Sequence, residues 1–355
     1  MKVHSVAITG ASGLVGRHLL PVLAEHPLVE RVLGLDVREP ERLPHNAEFQ
    51  RVDVARTELA PLLEGIDVVV HLAGVVDPIP DEGLMARINV EGTRRVLDAA
   101  ASAGIHRVVR ISSATVYGAW PNNAVPLAED APLRPNPTFS PAVQGAEVER
   151  ILSEWRAEHP GVTVTTLRSA PVAGPGAERL PARILLGRPA LRVRGAAPLL
   201  QVVHVDDLVA ALALVATTDL PGVYNVAADG WLTADEARAL LPRSRMPAVP
   251  AEALERALRR TWRLGLGDVP PGVVPYLVHP WVLANDKLVA HGWRPRHRNE
   301  DTIREALASL PPRGRFRSRA LAGAVIALAL VVARRRRSRQ RVSAATKRSS
   351  SSSVL

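Results

Sequence analysis

A chain of 355 residues that is 47% hydrophobic has apolar material for one large core or two unequal lobes, which excludes a fibrous or wholly disordered protein. It has no cysteine, so disulfides, a thiol nucleophile and zinc-thiolate chemistry are excluded, as expected of a protein kept in a reducing cytoplasm. The net charge of +10 sits at one end: beyond residue 312 lie 12 of the 45 lysines and arginines and no acid, leaving 33 basic against 35 acidic residues before it.

The first residues lead straight into a strand, with no long apolar stretch and small-residue cleavage site, so no secretory signal is expected. Val6, Ala7 and Ile8 make a short apolar run suited to a buried strand. Gly10, Gly13 and Gly16 follow at three-residue intervals, with Ser12 and Leu14 between them, and helical patterning runs from Leu14 to about His26. Such a turn makes an anion site. Glycine lets the backbone approach a pyrophosphate, and the unpaired amides and positive end of the next helix face it. The spacing is G-x-x-G-x-x-G rather than the G-x-G-x-x-G of the familiar fingerprint. The next apolar strand, Arg31 to Asp36, ends in a carboxylate twenty residues after Gly16. A carboxylate there meets the adenosine ribose hydroxyls of NAD and repels the 2′-phosphate of NADP, a preference that Arg38 would soften.

A short strand is expected around Glu48 to Val52, ending in Asp53. Residues Asp67 to Leu72 are a nearly continuous apolar run, as in a parallel strand covered on both faces. A long helix from about Asp81 to Ala103 follows, then a strand from Arg107 to Ser112 that delivers Ser112 and Ser113 to its carboxyl end. A helix over Ala142 to Glu158 and a strand over Val162 to Leu167 continue the alternation. The pattern predicts an α/β fold with a doubly wound parallel sheet, right-handed crossovers and ligand beyond the carboxyl ends of the strands. Residues 1–170 are the expected dinucleotide-binding domain and residues 171–312 a smaller substrate lobe. Within that lobe, strands at Gln201 to His204 and Val223 to Val226 flank a helix from Asp206 to Ala216 and bring residues 201–227 back to the sheet. Short helices carrying Trp262, Trp281 and Trp293 would close over the crevice. There is no internal repeat. The eleven histidines show no paired ligand spacing, so no metal site is expected.

Several motifs occur together and in order: TGASGLVG at Thr9 to Gly16, Asp36, DV at Asp53 and Val54, HLAG at His71 to Gly74, and Asn89. SSATVYG at Ser112 to Gly118, LRSAPVAGPG at Leu167 to Gly176, VHVDDL at Val203 to Leu208 and YNVA at Tyr224 to Ala227 complete the set. Over about residues 3 to 310 the chain resembles the extended short-chain dehydrogenase/reductases, the NAD-dependent epimerase/dehydratase group. The resemblance implies NAD held by Gly10, Ser12, Gly13, Leu14, Gly16 and Asp36. It further implies an adenine contact near Asp53 and Val54, a nicotinamide-side wall at Leu72, Ala73 and Gly74, and Asn89 among the cofactor contacts. Ser113 stands where the family has its catalytic hydroxyl. The long helices after the third and fifth main strands are where two subunits would pair in a homodimer.

The chain departs from the family at its acid/base pair, a tyrosine in Tyr-x-x-x-Lys whose lysine lowers the phenol's pKa and holds the nicotinamide ribose. Registering AEVER on the family's helix puts Pro141 at the tyrosine position and Gly145 at the lysine position; a two-residue insertion would bring Phe139 to the tyrosine place instead. None of these side chains exchanges a proton. The three lysines are Lys2, Lys287 and Lys347, while Tyr117, Tyr224 and Tyr276 are followed four residues later by Pro121, Ala228 and Pro280. Losing a positioned acid or base costs on the order of 100- to 10,000-fold in rate. His204, Glu129, Asp130 and Glu147 are the candidate substitutes. The expectation is an NAD-binding protein for an unknown small-molecule substrate, a nucleotide sugar or similar alcohol, with its redox chemistry weakened, rerouted or absent. The alternative is a non-catalytic NAD(H)-binding scaffold or sensor at a membrane.

In the tail, residues 313–355, Ala320 to Ala333 are fourteen uncharged apolar residues between Arg319 and Arg334. As a helix they would reach about 21 Å against a bilayer core of about 30 Å, short of a span. With arginines on both flanks, residues 313–341 suit an anionic membrane surface, each arginine contributing about 1 kcal/mol. The competing reading is a basic tail packed on the body or a partner. Phe316 is the lone aromatic there, so nucleic acid is not an expected partner.

Overall fold

Short apolar runs, rich in valine at Val68–His71 and Arg107–Ser113, build the inner strands. A computed structural model of the chain describes residues 4–177, 193–240, 248–267 and 269–309. Its strands are β1 (Ser5–Thr9), β2 (Arg31–Asp36), β3 (Ala47–Arg51), β4 (Val68–His71), β5 (Arg107–Ser113), β6 (Thr163–Ser169), β7 (Val172–Ala173), β8 (Val203–His204) and β9 (Gly222–Val226). Seven of them form one parallel sheet in the order β3-β2-β1-β4-β5-β6-β9. This is the expected doubly wound architecture. The chain winds outward from β1 through β2 to β3, then crosses back to place β4 on the other side of β1, so the crevice beyond β1 and β4 is the topological switch point.

Strand alternation sends successive side chains to opposite layers. Val68 and Val70 pack with Leu19, Leu20 and Leu23 of α1 (Leu14–Ala24) and Leu208 and Leu212 of the long helix that follows β8, while Val69 packs with Val96 and Leu97 and with Val148, Leu152 and Trp155 on the other side. The second group comes from the expected long helix, observed as α2 (Glu82–Ala86), a π-helical turn (Arg87–Glu91) and α3 (Gly92–Ser102), and from α4 (Ser140–Glu158).

Of the two strands expected to return to the sheet, only Gly222–Val226 does so. Val203–His204 pairs with Val172–Ala173 in a separate two-stranded sheet. The Ala170 amide still donates to Val226 O, but Pro171 has no amide to carry the β6 ladder further, and its carbonyl accepts from Val203 instead. The helix after β8 is α5 (Val205–Thr217); α6 (Ala234–Leu240), α7 (Ala251–Arg263), α8 (Asp286–Val289) and α9 (Asn299–Ser309) belong to the C-terminal part. That part is tied to the sheet's carboxyl edge: the Leu127 amide donates to Val282 O, the Ala284 amide to Leu127 O, and the Tyr276 phenol to Thr115 O. Among the described residues no helix is long and apolar enough to cross a membrane; the tail and its apolar segment 320–333 lie outside them.

Candidate functional site

The first loop leaves β1 at Gly10, whose φ of +75° favours glycine; a Cβ there would lie 2.7 Å from the Ala73 nitrogen. A Cβ on Gly16 would lie 2.2 Å from Gly10 O. These contacts press the loop and the start of α1 against β4. The helix begins at Leu14 behind Gly13 with no side-chain cap and no acidic residue in its first turn. Its first amides have no intrahelical acceptor, so the positive end of α1 opens on the crevice. Asp36, at the end of the neighbouring strand, accepts from the Ser12 amide at 3.0 Å and the Arg38 amide at 3.1 Å, and Ser12 Oγ donates to Arg38 O at 2.5 Å. Asp53 closes its own turn by accepting from the Ala55 amide at 3.0 Å, with Val54 buried against Gly92.

Leu72, Ala73 and Gly74 follow β4 beside that loop. The Leu72 amide donates to Thr9 O and the Ala73 amide to Thr9 Oγ1 at 3.2 Å. Thr9 and His71 are register partners, and Thr9 Oγ1 lies 2.7 Å from His71 Nδ1. Across the ring, Nε2 is 3.0 Å from Thr93 Oγ1, which donates to Asn89 O at 2.6 Å. Thr93 has given its proton to Asn89, so it accepts from Nε2–H, and Nδ1 accepts from Thr9: the relay assigns one neutral tautomer. Burial and the charge of Arg110 push the His71 pKa well below the ordinary value. The Asn89 side chain accepts from the Val75 amide at 2.7 Å and donates to Val75 O and to Gln144 Oε1 at 3.0 Å.

Although β5 is an interior strand, its last four residues, Arg110 to Ser113, are only half-buried, and the crevice opens there. Ser113 Oγ accepts from the Thr115 amide at 3.2 Å and from Thr115 Oγ1 at 3.0 Å. Beneath it, Ser112 Oγ donates to Glu149 Oε1 at 2.5 Å, and Glu149 binds Arg168 through Nη2 at 2.6 Å and Nε at 2.9 Å. Arg168 also donates to the Tyr117 phenol, which donates to Asn225. Burial pushes the Tyr117 pKa up to about 12. Arg110 Nη1 donates to Ile111 O and to His71 O, and burial lowers its pKa to about 10, which leaves it charged at neutral pH.

Pro141 and Gly145 lie half-buried on α4; a Cβ on Gly145 would meet Val116 Cγ1 at 3.0 Å. Phe139 is buried, its ring 5.2 Å from that of Tyr276, whose pKa burial also raises. The other candidates bond elsewhere. Glu129 accepts from the Asn225 amide, Glu147 pairs with Arg150 and Arg94, and Asp130 is exposed. His204 accepts from the Asp206 amide and meets Glu305 at 3.2 Å.

The structure therefore gathers Gly10, Ser12, Gly13, Leu14, Gly16, Asp36, the 72–74 wall and Ser113 along the carboxyl edge of the sheet. Sequence reading passed over the His71 relay, Gln144, Arg110 and the Glu149–Arg168 pair; the one local signal was an arginine inside the apolar run of β5. It named His204 only as a substitute acid or base, and it passed over the grouping of His204 with Asp206 and His297, whose ligand atoms lie within 4.8 Å of one another. The two imidazoles stack at 3.8 Å, and His297 Nδ1 is bonded to Asp207, so the group clasps the start of α5 to the segment before α9.

Residues 6–227 match the family model described as "NAD dependent epimerase/dehydratase family". An uncharacterized protein of Mycobacterium tuberculosis is 30% identical over 242 residues, covering 65% of this chain and 64% of its own length. The 3-diazoavenalumate denitrifying reductase of a Streptomyces species is 29% identical over 327 residues, covering 82% of this chain and 96% of that protein. Among solved structures, Thermus thermophilus UDP-glucose 4-epimerase in complex with NAD aligns with a TM-score of 0.66 at 24% identity, covering 86% of this chain and 98% of the other. UDP-glucuronic acid 4-epimerase from Bacillus cereus, in complex with UDP-glucuronic acid and NAD, aligns at 0.68 and 18% identity with the same coverage.

Proposed function

Because this chain belongs to the NAD dependent epimerase/dehydratase family, we propose that it binds NAD(H) across the switch point and presents it to a small-molecule substrate held by the C-terminal lobe. The observation that carries this is the start of α1: uncapped, without an acid in its first turn, and approached by glycines at which a Cβ would collide with backbone. That cradle fits a pyrophosphate, and Asp36 stands at the end of the adjacent strand to receive ribose hydroxyls. Bound there, the dinucleotide supplies hydride exchange. The 72–74 wall and Ser113 orient the reacting carbon, and the His71 relay fixes the amide and carbonyl that flank it.

A nucleotide sugar or a similar alcohol is the substrate class we propose, on the printed activities of the structural neighbours. Pro141 and Gly145 provide no proton, and the phenols of Tyr117 and Tyr276 are committed to buried hydrogen bonds, so chemistry that needs a protein acid or base is weakened or rerouted. A second reading is favoured by the denitrifying reductase relative: reduction of an electrophile whose product needs no proton from the protein. The membrane-side scaffold rests on the sequence of residues 313–341 alone.

Calorimetry with NADH and NADPH tests the cofactor assignment. The expected result is saturable binding with NADH preferred, and at least a tenfold loss for Asp36→Ala together with a narrower NADH/NADPH ratio. Absence of heat with both nucleotides overturns it.

A further inference from the structure

Among the described residues, Arg110 is a guanidinium without a carboxylate of its own. The single buried acid nearby, Glu149, is held bidentately by Arg168, so two arginines share one counter-charge. Arg110 Nη1 is spent on Ile111 O and His71 O, the carbonyls at the point where β4 has ended and β5 continues. Its Nε is buried and has no partner among the described residues. Burying such a donor is costly unless another oxygen completes it.

That nitrogen is sealed from the crevice, so a ligand would meet the guanidinium at the part that the half-buried residue still exposes. His71 O leads directly into the Leu72–Gly74 wall, and Ser113 lies three residues beyond Arg110 on the half-buried end of β5. Gly145, one turn before Glu149 on the same face of α4, brings no side chain and is packed against Val116. We propose that Arg110 is the cation of the nicotinamide side of the crevice, reaching up from the sheet floor to hydrogen-bond the nicotinamide-side ribose hydroxyls of the bound dinucleotide. It is a binding and positioning residue, and the proposal rests on the cofactor reading above. With the pKa near 10, the guanidinium keeps its charge at working pH and delivers directional donors that a lysine at Gly145 would have delivered from the opposite side.

The test uses the full chain and three probes: NADH, ADP-ribose, which keeps the second ribose without nicotinamide, and ADP, which has neither. In calorimetric titrations Arg110→Gln is expected to weaken NADH and ADP-ribose about tenfold or more and to leave ADP within about twofold. Arg110→Gln combined with Gly145→Lys is expected to recover most of that loss, which a folding defect would not. Circular dichroism and thermal unfolding report whether each variant is folded. Wild type that binds none of the three overturns the cofactor reading and this assignment with it. Wild type that binds all three, while Arg110→Gln changes none or weakens all equally, overturns the assignment alone.

Discussion

The neutral imidazole of His71 makes stability depend on pH in a direction that can be computed. Its relay from Thr9 through the ring to Thr93 and Asn89 needs one nitrogen that accepts and one that donates, and protonation would turn both into donors. Burial and Arg110 lower the folded pKa well below the value of about 6.5 that the unfolded chain keeps. Between those two values the unfolded state holds the proton and the folded state does not, so the stabilisation is complete above about pH 6.5 and is lost as the pH falls. The loss is at most about 1.4 kcal/mol per pH unit, and between pH 7.5 and pH 5.0 the unfolded value caps it at about 2 kcal/mol. Urea unfolding of wild type and His71→Gln across that range isolates the effect, since glutamine does not titrate and the remaining acids and histidines cancel in the difference. The advantage of wild type over the variant should shrink on acidification, by up to about 2 kcal/mol. A difference that stays constant from pH 7.5 to 5.0 would refute the neutral, relayed histidine.

Gly16→Ala should abolish measurable NADH binding in calorimetry, because its Cβ would lie 2.2 Å from Gly10 O and must push the loop out of register with α1. Glu149→Gln leaves Arg168 and Arg110 with no buried acid between them and should cost about 3–5 kcal/mol in urea unfolding; a loss below about 1 kcal/mol would mean that water reaches the pair. Gly145→Lys in the wild-type background must displace Val116 and set a second cation near Arg110, so its thermal midpoint should fall, and by less when Arg110→Gln is also present.

What could be read in the sequence was local. The inner strands announced themselves as short apolar runs rich in valine, and the glycine loop and Asp36 are legible because each depends on spacing within one strand-turn-helix-strand unit. The misplacement of Val203–His204 has the same origin: a short run holding two valines specifies a strand but not its partner, and the partner was decided where Pro171 ends the β6 ladder. The polar layer under the crevice was not legible for the opposite reason. His71 meets Thr9 because β1 and β4 pair in parallel register, and it meets Thr93 because α3 packs across the same sheet face, contacts that span 62 and 22 residues. Glu149 looks like an ordinary surface charge, and Arg110 differs only in interrupting an apolar run, until β5 becomes an interior strand and α4 is laid over it.

That layer also bears on what chemistry the crevice supports. Ser113 is flanked by Thr115, and the acid beneath it, Glu149, is reached through Ser112 and neutralised by Arg168. The two tyrosines nearest the β5 loop each donate a proton into a buried bond, Tyr117 to Asn225 and Tyr276 to Thr115 O, and giving it to a substrate would break the link that joins the C-terminal part to the sheet or the one that joins β9 to the loop. Releasing either phenol therefore costs structure as well as a raised pKa. On the reading proposed above, such a site would orient and polarise a substrate beside the dinucleotide, and among the described residues neither of these phenols is free to supply the proton.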